Sequence, residues 1–553
     1  MYRFRSSTLF VVFLLLLVAS TTVAQTAPPP PPAPTAPAAP AEPTFDKQWP
    51  PPGAATTAAA PAAAPAPAAA PATPAADAAP KLAMTLGGFY EFNGYTQNNF
   101  FLGKGASGLV SDQDEYAIQM FRLQPEFSYG PNLKGVVRID MAQGIWGIDD
   151  EVRDNDRPGF SNLFNKKDSN FLVHLDWAYV EFTSPKLRNS TIRVGRMKNQ
   201  LGNLLVLDQD GDGFQVSKKV GAWTVLADWT KMSEGADSLT DDQFPDRDGN
   251  DADLLYFDAS RKVGNFKINP FVAFYTDRSD DDNTTYLPND IQYANARFRP
   301  NLSKATALGF AFDGKAGKVS LKGEVDYLTG SDDVRNVNSG PNQLLDVNNG
   351  DLKGYNLYLD AKVPVGKVTL GAVFGRGSGD DDPMSGEGNI NKIRTNGFFY
   401  VNEIWEDSIM PDEEGITPQG LGSPASRGYR EFENTTLLQV NATFPLRSDL
   451  KFFVSGTVMR ATEELRPWAD TNKNNAIDPG EFGAASSNDL GTEIDFMLDW
   501  TVMPNLVWTL RGGYMQAGDA AGYLINGTNL YDENPWELRT TIRFNFGGLK
   551  IGG

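Results

Sequence analysis

The segment Trp536–Phe546, WELRTTIRFNF, alternates strictly. Trp536, Leu538, Thr540, Ile542, Phe544 and Phe546 share one face of an extended strand, and Glu537, Arg539, Thr541, Arg543 and Asn545 share the other, because side chains alternate across a strand. The pattern recurs upstream. Val319, Leu321, Gly323, Val325 and Tyr327 alternate with Ser320, Lys322, Glu324 and Asp326. Tyr355, Leu357, Leu359 and Ala361 alternate with Asn356, Tyr358, Asp360 and Lys362, and Ile494, Phe496, Leu498 and Trp500 with Glu493, Asp495, Met497 and Asp499. A soluble sandwich has no place for a charged face on nearly every strand, since buried unpaired charge is costly. A barrel with lipid outside and a wet lumen inside accepts both faces.

The spacing of the breaks supports that reading. Short turns rich in Gly, Pro, Asn or Asp fall at 129–135, 184–190, 218–222, 262–265, 313–318, 364–367, 445–449 and 503–506, each flanked by alternating apolar residues, which is the hairpin signature. Long polar stretches lie at 93–115, 147–169, 233–251, 278–301, 328–352, 379–433, 462–488 and 518–533, with a shorter one, LDQDGDG, at 207–213. Eight turns and nine loops make seventeen connections, hence about eighteen strands. The expected fold is all-β, a transmembrane antiparallel β-barrel with short periplasmic turns and long extracellular loops. The last strand then closes on Met84–Tyr95, because no unpaired edge survives in lipid. Aromatics near strand ends (Phe89, Tyr90, Trp146, Trp177, Tyr179, Trp223, Trp229, Phe274, Tyr275 and Trp508) fit interfacial girdles.

The N-terminus agrees with export. Arg3 and Arg5 precede the apolar run Leu9–Ala19, and Thr22-Val23-Ala24 is a small-residue cleavage site. Residues 1–24 read as a signal peptide, 25–82 as a Pro- and Ala-rich disordered periplasmic tether, and 83–553 as the barrel. Proline blocks helix and ladder bonding, so the tether is expected to be extended, a spacer toward the cell wall. Among 553 residues there is no Cys, which excludes disulfides, thiolate nucleophiles and Cys-held metal centres. A net charge of −20 disfavours nucleic acid as a partner.

Several short motifs resemble a known family. Arg193-Val194-Gly195-Arg196 follows Leu175-Asp176-Trp177-Ala178-Tyr179-Val180; downstream, Asp489-Leu490-Gly491-Thr492-Glu493-Ile494-Asp495 precedes Pro504-Asn505-Leu506 and Gly513-Tyr514-Met515-Gln516-Ala517-Gly518-Asp519. Together they resemble the alginate-export family of outer-membrane porins. The resemblance implies an eighteen-stranded barrel in the outer membrane of a Gram-negative bacterium, and an export channel for an alginate-like polysaccharide. A polyanion exporter is expected to have a cationic lumen. Here the residues placed inward by alternation are mixed: Arg122, Arg138, Arg193, Lys322, Lys362, Arg511, Arg539 and Arg543 face Glu126, Asp140, Asp176, Glu324, Asp326, Asp360, Glu493, Asp495 and Asp499. That balance suits a porin passing small hydrophilic solutes or ions. Arg511, Arg539 and Arg543 form the expected cationic patch.

The sharpest local motif is DTNKNNAIDPGE. It sets Asp470, Asn472, Asn474, the Ala476 carbonyl, Asp478 and Glu481 at positions 1, 3, 5, 7, 9 and 12 of a calcium loop. Asn475 stands where Gly is usual; a solvated acidic loop is the alternative. Asp208, Asp210 and Asp212 form a weaker match, with a tight acidic turn as the other reading. Divalent cations bridging the acidic loops to anionic lipid are a further expectation. His174, the only histidine, has no serine that the sequence places beside it, so no catalytic role is expected. The long 379–433 loop, with Trp405, is expected to fold inward as a constriction. Expected partners are outer-membrane lipid and lipopolysaccharide, the barrel-assembly machinery (through the aromatic end at Phe546) and the cell wall. A scaffold that sheathes or binds another protein is the alternative to a pore, and no cofactor is required beyond possible loop calcium.

Overall fold

The computed structural model describes residues 81–99, 102, 113–143, 171–187, 190–233, 252–277, 300–334, 350–381, 389, 391, 401–405, 432, 434–469, 471, 479–529 and 533–551. They form one 18-stranded antiparallel sheet closed on itself. The first half is β1 (Leu82–Asn98), β2 (Gln113–Tyr129), β3 (Leu133–Gln143), β4 (Phe171–Ser184), β5 (Ser190–Leu201), β6 (Leu207–Val220), β7 (Trp223–Ser233), β8 (Ala252–Val263) and β9 (Phe266–Asp277). The second is β10 (Pro300–Ala316), β11 (Val319–Val334), β12 (Gly350–Val365), β13 (Val368–Gly377), β14 (Thr435–Arg447), β15 (Leu450–Leu465), β16 (Ser487–Met503), β17 (Leu506–Ala517) and β18 (Trp536–Ile551). Each strand pairs with its sequence neighbours, and β1 pairs with β18 from Met84↔Ile551 to Asn98↔Trp536. Closure leaves no free edge, as a strand structure in hydrocarbon requires. β18 continues past Phe546 to Ile551, so the aromatic end lies inside the strand.

All eight short turns fall where the sequence puts them, at residues 130–132, 185–189, 221–222, 264–265, 317–318, 366–367, 448–449 and 504–505. Gly317 at φ 63 and Asn505 at φ 71 adopt the left-handed conformation that two-residue hairpins demand. The ninth loop is displaced. Residues 207–213, expected to be a loop, open β6 and pair in register with β5, and the connection is 202–206 instead. Within the β17–β18 connection lies one short helix, α1 (Asp519–Asn526), packed on β15 and β16.

The two faces of the wall differ as the alternation requires. Outward residues such as Leu308 (50% exposed), Phe214 (52%), Leu438 (54%) and Ile494 (51%) lie bare around the circumference. Soluble proteins seldom bare large apolar residues on strand after strand, and lipid is the solvent that matches them. No described helix is long and apolar enough to cross a membrane; the strands form the crossing. Among the expected girdle aromatics, Trp229, Phe274 and Trp508 are exposed. Phe89, Trp177 and Tyr179 are not girdle residues: guanidinium groups of Arg122, Arg138 and Arg193 lie over their rings.

Candidate functional site: a lumen narrowed by two anchored segments

Among the described residues, two connections turn inward and are held by carboxylates on the wall. The first is 401–405, within the long loop expected to narrow the lumen. Glu493 on β16 receives three donors from it: Asn402 Nδ2 (2.9 Å), Ile404 N (2.6 Å) and Trp405 N (3.1 Å). Gln439 Nε2 donates to the Val401 carbonyl at 2.6 Å. Glu403 lies 3.1 Å from Arg511 Nε and 3.4 Å from Arg539 Nη2. Asn402, Glu403, Ile404 and Trp405 are fully buried. Gly513 on β17 gives Ile404 its space: a Cβ there would stand 3.0 Å from Ile404 Cγ1.

The second is 202–206, the short connection between β5 and β6. The Asn203 backbone N–H donates to Glu324 on β11, and Asn203 Nδ2 donates to the Gly323 carbonyl at 3.0 Å. Gly202, at φ +56, approaches so closely that a Cβ would be 2.3 Å from Glu324 Oε2. Leu205 joins a buried apolar cluster with Leu102, Val401, Ile404, Trp405 and Phe432, backed by Met459, Met515, Ala520, Ala521 and Leu524. Val206 joins a second cluster with Tyr256, Phe271 and Leu328. Apolar packing and buried backbone hydrogen bonds thus fix both segments.

Around the wall, arginines gather on one sector, and each is neutralised. Arg543 pairs with Glu91 at 3.1 Å and stacks over Phe89. Arg122 pairs with Asp140 and, at 3.4 Å, with Asp176, to which Arg138 is also bound. Arg193 pairs with Glu181 at 2.5 Å and donates to Gln215 at 3.2 Å. Arg539 contacts both Glu403 and Glu537, and Gln97 Nε2 donates to Glu537 at 2.5 Å. The cationic patch expected of Arg511, Arg539 and Arg543 is therefore not a free patch, because Glu403, Glu537 and Glu91 neutralise it. The opposite sector is acidic. Lys362 pairs with Asp360 at 2.6 Å and Lys322 lies across from Asp360, but among the described residues Glu324 and Asp326 have no salt-bridge partner within 4 Å.

The other expected sites separate. Asp208, Asp210 and Asp212 lie two residues apart along β6, so neighbouring carboxylates start about 6.8 Å apart and do not converge on one ion. Each has its own partner: Lys198 at 3.0 Å for Asp208, Trp177 Nε1 at 2.9 Å for Asp210, and Arg196 at 3.5 Å for Asp212. Of the calcium loop, Asp470, Asn472, Asn474, Ala476 and Asp478 lie outside the described residues. Glu481 accepts from Thr471 N at 2.7 Å and Thr471 Oγ1 at 2.6 Å. His174 sits in β4 opposite Asp140. Among the described residues, no group of three or more His, Asp or Glu is placed to hold a metal.

Glu403, Glu91 and Asn203 were not read from the sequence as lumen residues, and Glu537 was placed on the charged face of the last strand without being singled out. Glu537 and Glu91 follow from alternation on β18 and β1. Glu403 and Asn203 sit in connections whose path only tertiary packing sets.

No family model and no curated protein matches the chain, and the alginate-export resemblance gains no support from them. Solved structures with a similar fold include Pseudomonas aeruginosa OccK1 (OpdK), at 11% identity and TM-score 0.44, covering 84% of this chain and 99% of that one. A BenF-like porin from Pseudomonas fluorescens Pf-5 stands at 11% and 0.47, with 84% and 99% covered. Acinetobacter baumannii OccAB2 stands at 12% and 0.47, with 84% and 98% covered. Likeness at this level extends neither to family nor to function.

Proposed function

We propose that this chain is a passive pore in the outer membrane of a Gram-negative bacterium, passing small hydrophilic solutes or ions. The carrying observation is the closed 18-stranded wall with an apolar outer face and a polar, ion-paired inner one. Such a wall is stable in lipid and offers water a path through its centre. The arginines at 122, 138, 193, 511, 539 and 543 each have a carboxylate partner. Their charge is offset locally, which favours small solutes over a polyanionic polysaccharide. The Pro- and Ala-rich stretch is assigned as a spacer toward the cell wall, and the outer face as the contact with lipid and lipopolysaccharide.

A second reading, a plugged scaffold for a partner protein, is supported by the apolar cluster that joins Leu205 to Trp405 inside the wall. Planar-bilayer recording of the full chain separates the two. A pore gives discrete conductance steps with weak ion selectivity, and vesicles carrying it swell in small sugars. A silent membrane and unswollen vesicles would rule the pore out.

A further inference from the structure

Outward residues at one depth in the wall are apolar on strand after strand. Eight residues from the short-turn end of their strands stand Leu255 on β8, Phe274 on β9, Leu308 on β10, Tyr327 on β11, Leu357 on β12 and Val458 on β15, all exposed. On β6 and β7 the same position holds Asp212 and Lys231. Alternation puts both on the outer face, because Phe214 and Trp229, two residues nearer the turns, are exposed, whereas Gln215 and Thr230 are buried. Eight residues of strand at about 3.3 Å each, tilted by about 40°, rise roughly 20 Å, which is inside an apolar band of about 25 Å. A charge on the lipid face at that depth is destabilising. Arg376 on β13 stands equally deep, and its Nε donates to the Tyr355 hydroxyl at 3.0 Å.

Asp212 and Lys231 belong to a longer row. Arg196 on β5 is in register with Asp212, Asp212 with Lys231, and Lys231 with Asp253 on β8. Charge alternates along it: plus, minus, plus, minus. Arg196 reaches Asp212 at 3.5 Å, and the Asp212 side chain stays 67% exposed. Just below the row, the rings of Phe214 and Trp229 lie 6.4 Å apart. Exposed aromatics beside charged groups are the materials of a protein contact. We propose that this face of β5–β8 is covered by a second copy of the chain, related by a two-fold axis along the membrane normal. The charge pattern fits that partner. A two-fold axis reverses the order of the row, and an alternating row of even length, reversed, sets plus opposite minus. Asp212 and Lys231, the inner members, stand equally deep, so Asp212 of each copy meets Lys231 of the other. Lipid tails offer the row no counter-charge. The inference rests on the wall lying in lipid, not on an open pore.

The test measures the mass of the full chain in mild detergent and in lipid nanodiscs, by light scattering and native mass spectrometry. The expected result is a dimer. Asp212→Lys and Lys231→Asp each set like charges against one another across the axis, and each should weaken the dimer by about tenfold or more. The combined Asp212→Lys and Lys231→Asp variant restores opposite signs and should recover wild-type association, a recovery that a folding defect would not give. Circular dichroism checks that each variant keeps its strands. A monomer in both media overturns the proposal, including a monomer that retains only lipid. So does a trimer, a dimer indifferent to both reversals, or a combined variant no better than either single one. Conductance from a monomer would leave the pore standing and remove the interface; a dimer without conductance would keep the interface and remove the pore.

Discussion

The two inward segments are anchored by the same device and completed differently. In each, a Glu followed two residues later by an Asp lies on the inner face of a strand, and the Glu accepts backbone N–H groups from a connection: Glu324 from Asn203, and Glu493 from Ile404 and Trp405. At β16 the surroundings finish the site. Ser455 donates to Asp495 at 3.0 Å, and Arg511 and Arg539 hold Glu403. At β11 no arginine among the described residues forms a salt bridge with Glu324 or Asp326. Asp495 Oδ1, like the Asp326 carboxylate, has no hydrogen-bond partner among the described residues, so the two anchors differ in charge: one has arginines beside it and the other is short of positive charge. The 401–405 segment is therefore held by a carboxylate with arginines nearby, and 202–206 by a carboxylate that lacks them.

The comparison can be broken most severely at Arg539, which is fully buried between Glu403 and Glu537. Arg539→Gln leaves buried carboxylates uncompensated, a cost of about 3–5 kcal/mol. The absence of cysteine from the chain makes Val401→Cys a unique reporter, and its maleimide labelling should accelerate sharply in this background. Next in size is Glu493→Gln, which trades charge-assisted hydrogen bonds for neutral ones at about 1.5–3 kcal/mol. The same labelling should rise about tenfold or more. The matching Glu324→Gln should cost less, about 1 kcal/mol, because an amide relieves an unbalanced charge while still accepting from Asn203. Its reporter is Leu205→Cys; equal effects at the two anchors would erase the distinction.

The smallest effect lies outside the membrane, at the β14–β15 turn. Asp449 accepts two hydrogen bonds from Arg447, both 3.0 Å, and one from Trp500 at 3.1 Å, and the Arg447 bonds hold its carboxyl below the ordinary range. A lowered folded-state pKa gives stability that is present above the unfolded value near 4 and lost as pH falls through the folded one. Asp449→Asn should therefore lower the unfolding midpoint slightly at neutral pH. The gap should close as pH drops below about 4.

Most of the wall was legible from residue order. Alternation and turn chemistry are local, so the eight hairpins and the two-faced strands they join could be read directly. The β5–β6 connection misled for a physical reason. GNLLV at 202–206 is apolar because it packs inside the barrel, so it resembles strand; DQDGDG at 208–213 is acidic because Lys198 and Arg196 stand across from it, so it resembles loop. Length and Trp405 pointed to an inward 379–433 segment, but its anchoring by Glu493 and its Glu403 pairs arise only when β16, β17 and β18 come together.

The central claim is an open pore narrowed by the anchored 401–405 segment. Single-channel conductance of the wild type beside Glu493→Gln tests it most directly, with both proteins shown to be folded by their strand content. The account predicts discrete wild-type steps and larger, noisier steps in the variant, as the segment leaves the wall. Identical conductance in the two, or none in either, would contradict it.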